Sequence, residues 1–261
     1  MAKIIAIANQ KGGVGKTTTA VNLAANLAAA EWSTLLLDLD PQGNATSGLG
    51  VATDEETPSS YEVLLGHASI EEASQSVYFD KLEIVPSARR LVGAEVELVG
   101  AEKREFQLRR ALAPARDEFD FILIDCPPSL GLLTVNALTA ADSTLVPIQC
   151  EYFALEGLTD LLDTIDRIRK AVNPGLRVEG ILLTMADERT NLSRQVEDEV
   201  RSHLKDLVFN TVIPRNVRLG EAPSFGKPII LYDLRSAGAQ SYLSLMREVV
   251  KHDKEGTRAR A

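Results

Sequence analysis

Residues 9–18 read Asn-Gln-Lys-Gly-Gly-Val-Gly-Lys-Thr-Thr, between the run Ile-Ile-Ala-Ile at residues 4–7 and a helical pattern at residues 20–30. A strand, a glycine-rich loop and a helix in this order are typical of a phosphate-binding loop, because loop N–H groups and the helix N-terminus face phosphate oxygens. The spacing predicts that the Lys16 ammonium contacts the β- and γ-phosphates of a nucleoside triphosphate and that the Thr17 hydroxyl binds Mg²⁺. We expect the phosphate contacts to come from Gly12, Gly13, Val14, Gly15, Lys16, Thr17 and Thr18.

The loop departs from the usual pattern at its mouth. Gln10 stands where the first glycine of a phosphate loop is normally found, and an additional lysine, Lys11, follows it. A loop lysine is usually just solvated. The functional alternative is that Lys11 crosses a dimer interface and stabilises charge on a partner's γ-phosphate, as an arginine finger does in other phosphoryl-transfer proteins. Because the nearby loops contain no other obvious residue for this role, we favour the second interpretation and predict that Lys11 is catalytic.

Two further segments carry carboxylates directly after apolar runs. Residues 36–44 read Leu-Leu-Asp-Leu-Asp-Pro-Gln-Gly-Asn, and residues 121–128 read Phe-Ile-Leu-Ile-Asp-Cys-Pro-Pro. Phosphoryl transfer depends mainly on positioning and charge stabilisation, so we predict that Asp40 orients the attacking water and that Asp125 holds Mg²⁺ through water. A turn after a strand also explains either acid alone, and the phosphate loop favours the catalytic interpretation. The predicted metal-binding residues are Thr17, Asp40 and Asp125.

Short apolar runs alternate with amphipathic segments along the whole chain. This pattern predicts an α/β fold: a single-domain, doubly wound, mostly parallel sheet with helices on both faces. Ligands of such sheets bind at the carboxyl ends of the strands, where Asp40 and Asp125 fall. Strands are predicted at residues 4–9, 34–38, 82–86, 121–125, 144–148, 178–185 and 208–213, and helices at residues 17–30, 102–113, 132–139, 155–172, 193–205 and 237–251.

Length and composition fit one domain. The 261 residues are 45% apolar, which suffices for one substantial core, and we place the domain at residues 1–250. The polar segment 51–75 is predicted to be a surface excursion with one or two short helices, and residues 251–261 a disordered tail. Without a long apolar run or a leader-like N-terminus, the expected location is the cytoplasm. Cys126 and Cys150 lack the spacing of a disulfide framework or zinc site and are expected to be core thiols.

Three motifs together resemble those of the ParA/Soj branch of the deviant-Walker (MinD/ParA) P-loop ATPases. They are Lys-Gly-Gly-Val-Gly-Lys-Thr-Thr at residues 11–18, Asp-Leu-Asp-Pro-Gln-Gly-Asn at 38–44 and Asp-Cys-Pro-Pro-Ser-Leu-Gly at 125–131, and the resemblance continues to about residue 250. It implies a chromosome- or plasmid-partitioning ATPase, with ATP and Mg²⁺ as cofactors, that switches through ATP-dependent homodimerisation. It also implies a position at the dimer interface for Glu151 and an adenine pocket that includes Met185, Pro214 and Asn216.

The resemblance further implies that the ATP-bound dimer binds DNA without sequence preference through Arg189 and Arg218. The formal net charge of −9 argues against a general affinity for nucleic acid, but a dimer pools the arginines of two subunits on one face. Judged without the resemblance, each arginine is more simply explained by a surface ion pair with Asp187, Glu188 or Glu221. A ParB-type partner is implied to stimulate hydrolysis through a basic peptide, and association with the nucleoid follows.

Other functions on this scaffold need features that the sequence offers only weakly. A MinD-like membrane-cycling ATPase needs a terminal amphipathic helix, and the only apolar stripe near that end is more typical of a core. A nitrogenase-type iron protein needs cysteines that share a cluster across a dimer, and Cys126 and Cys150 do not lie on suitable loops. A small-substrate ligase is harder to exclude from motif spacing alone. We expect no N-terminal helix-turn-helix, since the phosphate loop begins at residue 9. The stripe consists of Tyr242, Leu245, Met246, Val249 and Val250.

Overall fold

The computed structural model describes residues 1–151, 154–187 and 189–258, without the side chains of residues 154–156 and 255–258. Its sheet consists of β1 (Lys3–Ile7), β2 (Thr34–Asp38), β3 (Gln75–Ser76), β4 (Leu82–Val85), β5 (Phe121–Asp125), β6 (Ser143–Gln149), β7 (Arg177–Ala186) and β8 (Val208–Pro214). The strand order is β3-β4-β2-β5-β1-β6-β7-β8. All neighbouring pairs are parallel except β3 with β4. This confirms the predicted doubly wound, mostly parallel α/β fold.

Helices connect the strands and cover both faces of the sheet. They are α1 (Lys16–Ala29), α2 (Asn44–Gly48), α3 (Ser60–Leu65), α4 (Ile70–Ala73), α5 (Leu91–Glu97), α6 (Gln107–Leu112), α7 (Leu132–Ala140), α8 (Ala154–Ala171), α9 (Asn191–Leu204), α10 (Val217–Glu221), α11 (Ile229–Tyr232) and α12 (Ala237–Arg258). Short 3₁₀ turns lie at Leu98–Gly100, Arg104–Phe106, Pro114–Asp117, Lys205–Leu207 and Ala222–Phe225.

The central strands are apolar on both sides because each face of the sheet is covered. In β1, Ile4 and Ala6 belong to the core on one face, whereas Ile5 and Ile7 belong to the core on the other. Successive side chains of a strand point to opposite faces, so a run without polar residues is what a strand buried on both sides requires. The same arrangement places the carboxyl ends of β1, β2 and β5 side by side, which positions the loops that follow them.

Several local features differ from the sequence-based prediction, including the short helices α2, α10 and α11, which were not predicted. The segment at residues 51–75 contains the expected short helices, α3 and α4, but ends in the antiparallel edge strand β3. Helix α5 was not predicted. The helix predicted at residues 102–113 contains only α6, because Lys103 adopts a left-handed backbone conformation with φ of 53° and a 3₁₀ turn follows it.

The predicted tail is partly wrong, since α12 continues to Arg258. His252 explains why the helix goes on: its ring stacks on Phe209 with centroids 5.6 Å apart, and its Nδ1 lies 3.8 Å from a Glu179 carboxylate oxygen. Two residues further on, the Lys254 ammonium lies 5.7 Å from the centroid of the Trp32 ring. These contacts dock the last turns against the sheet. Residues 259–261 lie outside the described residues.

The apolar stripe of α12 is part of the core. Tyr242, Leu245, Met246 and Val249 are all buried there, and the partly buried Val250 packs against them. The stripe is therefore committed to the fold, as the core interpretation predicted. No helix among the described residues is both long and apolar enough to cross a bilayer.

Candidate nucleotide-binding site

The glycine-rich loop connects β1 to α1 at the carboxyl edge of the sheet. Gly13 and Gly15 have φ of 75° and 88°, a left-handed conformation that glycine adopts without the strain of a Cβ atom. Between them, buried Val14 anchors the loop, because its carbonyl accepts a hydrogen bond of 2.9 Å from the Thr184 hydroxyl. At the loop mouth, Asn9 accepts the Lys11 N–H at 2.9 Å and donates to the Pro147 carbonyl at 2.7 Å. The loop is thus fixed from both sides.

Lys16 begins α1 and is almost fully buried. Its ammonium donates to the Lys11 carbonyl at 3.0 Å, so the side chain folds back along the loop. Burial lowers the pKa of Lys16, while the nearby charges of Asp125 and Asp40 and the Cys126 thiol oppose that shift. A buried cation of this kind is stabilised by anionic groups, and phosphate oxygens would supply them.

The two carboxylates that follow β2 have different environments. Asp38 is fully buried and accepts hydrogen bonds from both the hydroxyl and the N–H of Thr46, at 2.7 and 2.8 Å. Burial raises the pKa of Asp38 to about 6, and these hydrogen bonds oppose the rise. Asp40 instead lines the cavity beside Gly13 and Lys16, and its carboxylate accepts the Gln42 N–H at 3.0 Å. Asp38 therefore holds the turn, and Asp40 faces the space where a ligand would lie.

Asp125, at the end of β5, is the most unusual acid of the site. It is fully buried, and among the described residues neither carboxylate oxygen has a partner in hydrogen-bonding geometry, although the Thr17 hydroxyl is close enough to lower its pKa. Burial and then the charge of Asp38 nevertheless raise that pKa well above its usual value. A buried, unsatisfied carboxylate next to a hydroxyl and an ammonium fits a cation with its bound water.

The donor set also fits Mg²⁺ in particular. Within the described residues, no three His, Cys, Asp or Glu side chains form a cage for a metal ion. Mg²⁺ commonly takes one or two protein ligands and completes its shell with waters and substrate phosphates. Thr17, Asp40 and Asp125 are consistent with that mode of binding, in which the nucleotide supplies the remaining oxygens.

Two adjoining cavities share Gly15, Thr18 and Met185. The first, of about 480 Å³, lies over the phosphate loop and extends to Asp40, Ala222, Pro223 and Lys227. The second, of about 360 Å³, is lined by the residues predicted for the adenine pocket, Met185, Pro214 and Asn216.

The three residues predicted for the adenine pocket thus line one cavity. Met185 has φ of 50°, a conformation uncommon for a residue with a Cβ atom. Asn216 accepts the Arg218 N–H at 2.9 Å and thereby caps α10. Together these residues form one wall next to the loop, so a nucleotide with phosphates on the loop could place its base there. Their individual roles stay predictions.

Lys11 does not point into the phosphate site of its own chain. Its ammonium lies 3.0 Å from a Glu151 carboxylate oxygen, and both side chains are close to half exposed. Gln149 donates to the other carboxylate oxygen of Glu151 at 2.5 Å. The structure brings the two residues predicted for the dimer interface together at an exposed rim of the site.

The predicted DNA-binding arginines are held in ion pairs. Arg189 makes a two-pronged pair with Asp187, with N–O distances of 2.8 and 2.7 Å. Arg218 pairs with Glu221 at 2.8 Å and lies 3.6 Å from an Asp233 oxygen. These are the surface pairs that the sequence offered as the simpler explanation, except that Glu188 lies outside the described residues.

The residues that support the loop were not predicted from the sequence. Thr184, Thr46 and Asn9 were not singled out, although each is buried and hydrogen-bonded at the site. A polar residue inside or next to an apolar strand signals that it needs a partner, as Thr184 does within Leu-Leu-Thr-Met at residues 182–185. The partners themselves come from distant segments and are not evident in the sequence.

Comparisons with known proteins identify the family. A family model described as an AAA domain matches residues 2–178. The chain is 59% identical to the chromosome partitioning protein ParA of Myxococcus xanthus, covering 96% of this chain and 89% of that protein. It is 55% identical to the sporulation initiation inhibitor protein Soj of Bacillus subtilis, covering 95% and 98% of the two chains.

Solved structures share the fold of this chain. Cobyrinic acid a,c-diamide synthase from Mycobacterium smegmatis, with bound ADP and magnesium, has a TM-score of 0.85 at 39% identity over 98% of this chain and 97% of that one. The cell division ATPase MinD of Pyrococcus furiosus has a TM-score of 0.79 at 27% identity, covering 96% and 99% of the two chains. The chain therefore belongs to the ParA/Soj family of chromosome-partitioning proteins, within the MinD/ParA superfamily of ATPases, and its cofactors are ATP and Mg²⁺.

Proposed function

We propose that this protein is an ATP-dependent DNA-partitioning switch. Its ATP-bound sandwich dimer binds DNA without sequence preference, and hydrolysis stimulated by a ParB-type partner releases the DNA. The observation that carries the proposal is the position of Lys11, whose ammonium faces the exposed rim with Glu151 and not the buried phosphate site of its own chain. A cation at the rim is available to a second subunit.

Different residues of the site have different roles in ATP hydrolysis. Lys16 and the loop N–H groups bind the phosphates, and Asp40 orients the attacking water from its place in the same cavity. Thr17, Asp40 and Asp125 would hold Mg²⁺, which would supply positive charge against the negative charge that develops on the phosphate. Lys11 adds the last positive charge only from a second subunit, so intrinsic turnover is slow and depends on dimerisation.

DNA binding by Arg189 and Arg218 is compatible with their ion pairs. Both arginines are exposed, and exposed pairs contribute little to stability, so phosphates can compete with the carboxylates. Two copies of the surface in a dimer bind more tightly than one without any new contact. In the cell we expect the ATP-bound protein on the nucleoid.

DNA binding in three nucleotide states tests the proposal. We expect purified protein to bind duplex DNA of unrelated sequences equally with ATP, and much more weakly with ADP or no nucleotide. Asp40→Ala should bind ATP, form a long-lived dimer in size-exclusion chromatography and stay on DNA, because hydrolysis is blocked. Equal DNA binding in all three states would contradict the switch.

The same experiment separates the alternatives. A small-substrate ligase, as the name of the amide synthase relative suggests for that protein, gives no ATP-dependent DNA binding. A MinD-like membrane-cycling ATPase binds vesicles with ATP instead of DNA, and the burial of the α12 stripe removes the apolar face that such binding would use.

A further inference from the structure

Three arginines converge on the loops that follow β7 and β8. Ala186 of β7 pairs with Pro214 of β8, and the Arg215 N–H donates to the Ala186 carbonyl at 2.9 Å. The two loops therefore leave the sheet at neighbouring positions. Arg189 comes from the first loop, Arg215 from the second, and Arg218 from α10, which follows the second loop; all three are exposed.

Asp187, on the first of these loops, is the carboxylate that pairs with Arg189. Its two oxygens accept both prongs of the Arg189 guanidinium, and one of them also accepts the Arg189 N–H at 3.1 Å. The hydrogen bonds from Arg189 lower the pKa of Asp187 to about 2, and the charge of Arg215 contributes to the shift. Asp187 is therefore ionised at every physiological pH and offsets the charge of two arginines.

The fork of an arginine binds a carboxylate and a phosphate with the same two-pronged geometry. A DNA phosphate can take the place of Asp187 on Arg189 without a change in the arginine, but the two anions cannot occupy the fork together. Arg215, one loop away, gains a phosphate partner when the carboxylate is displaced. An anion on this surface thus competes directly with one side chain of the protein.

We propose that Asp187 competes with DNA phosphates for Arg189, and that Arg215 belongs to the same DNA-binding surface. The inference rests on the proposed DNA-binding function. Asp187 weakens the complex and keeps it reversible, because every binding event must first break its pair with Arg189. Asp187 is then a regulator of affinity and not a DNA contact.

Asp187→Asn tests the proposal with little change in shape. The asparagine oxygen still accepts the Arg189 N–H, so the turn is kept while the negative charge is lost. Asp166→Asn is the matched control, because Asp166 on α8 also pairs with two exposed cations, Arg169 and Lys170. Both variants change the net charge by the same amount.

With saturating ATP, we expect Asp187→Asn to tighten binding to duplex DNA by about two- to fivefold at a fixed salt concentration, the range expected of an exposed ion pair. The log–log salt slope should stay close to the wild-type value, because Arg189 neutralises the same phosphate in both complexes. Asp166→Asn should change neither quantity. In an Arg189→Ala background most of the gain should disappear, because the two substitutions share one partner.

The experiment distinguishes failure of this inference from failure of the proposed DNA-binding function. Wild-type protein that binds no DNA in any nucleotide state contradicts that function and the inference with it. Wild-type protein that binds DNA while Asp187→Asn binds equally or more weakly overturns the inference alone. An equal gain in Asp166→Asn also overturns it, since the effect would then come from net charge.

Discussion

At the scale of single residues, Asp125 shows a conflict between stability and function. A fully buried carboxylate without hydrogen-bond partners costs free energy in the folded state. Its pKa is raised in the fold, so the folded state binds the proton more tightly than the unfolded chain. The cost is therefore absent below about pH 4, where the unfolded group is protonated, and it grows as the pH rises. Mg²⁺ is the group that removes this cost in the proposed function.

Asp125→Asn should therefore stabilise the nucleotide-free protein and weaken its response to Mg²⁺ and ATP. We expect a gain of about 1–3 kcal/mol at pH 7, or about 2–4 °C in Tm for each kcal/mol, and no gain near pH 4. The thermal shift produced by Mg²⁺ and ATP should shrink strongly. Thermal unfolding with and without ligand measures both effects.

The exposed acid Asp120, directly before the same strand, provides the control. Asp120→Asn should leave the ligand-induced shift intact. A destabilised Asp125→Asn protein with an unchanged ligand response would contradict the assignment of Asp125 to the metal site.

At the scale of elements, prediction from the sequence worked where the signal was local. The phosphate loop, β2 and β5 were identified because each is one uninterrupted stretch with a characteristic end. Helix α5 was missed because its buried face contains only Leu91 and Ala94, whereas Val92 and Val96 are exposed. The hydrophobic pattern of α5 therefore did not predict which face of the helix is buried.

The other misses depend on contacts between distant segments. Nothing near Lys11 in the sequence indicates that its ammonium would meet Glu151, and the cavity wall at Ala222, Pro223 and Lys227 comes from the far end of the chain. The end of α12 was missed for the same reason, since the charged sequence of its last turns is stabilised by Glu179 and Phe209.

Glu179 links three elements at the edge of the sheet opposite to the nucleotide site. It accepts hydrogen bonds from Lys3 of β1 at 2.8 Å and from Ser143 of β6 at 2.7 Å, and it contacts His252 of α12. Burial tends to raise the pKa of Glu179, but His252, Lys3 and Ser143 outweigh it and hold the pKa at about 2. The pKa of His252 is raised, chiefly by the nearby Glu179 carboxylate.

Both shifts stabilise the fold, in overlapping pH ranges. The Glu179 contribution is complete above about pH 4.3, the unfolded pKa, and is lost as the pH falls towards 2. The His252 contribution is complete below about pH 6.5 and is lost as the pH rises through the raised pKa. We expect Glu179→Gln to cost about 1–3 kcal/mol of unfolding free energy, most clearly between about pH 4.5 and 6.5.

Urea unfolding as a function of pH measures the effect of Glu179→Gln, and hydrogen exchange at the end of α12 should become faster. Glu199→Gln, at an exposed position on α9, is the control and should change neither. A Glu179→Gln loss that is the same at every pH would mean that Glu179 acts through packing and not through its charge.

At the scale of the whole molecule, the carboxyl ends of β7 and β8 carry both the cavity predicted to hold adenine and the arginines predicted to bind DNA. Met185 and Asp187 follow one another on β7 and its loop, as Pro214 and Arg215 do at β8. A nucleotide that fixes the walls of the cavity therefore also fixes the segments that carry the arginines. In the proposed function, this proximity would connect the nucleotide to the DNA-binding arginines within one subunit.

That connection alone is too weak for a chain with 28 basic and 37 acidic residues. DNA binding at a net charge of −9 needs two arginine surfaces acting together, which the proposed dimer provides. Lys11→Ala separates nucleotide binding from dimerisation, because Lys11 lies outside the phosphate site of its own chain. We expect this variant to bind ATP normally, to stay monomeric, and to bind DNA at least about tenfold more weakly.

The salt dependence distinguishes lost dimerisation from a damaged surface. A monomer uses one arginine surface, so the log–log salt slope of Lys11→Ala should be about half that of the wild-type protein, since the slope is about −0.9 for each neutralised phosphate. Lys81→Ala removes an exposed lysine at the opposite end of the strands, just before β4, and should behave like the wild type. Tight DNA binding by a Lys11→Ala protein that is monomeric by light scattering would show that one subunit suffices, and the dimer would then lose its role in the switch.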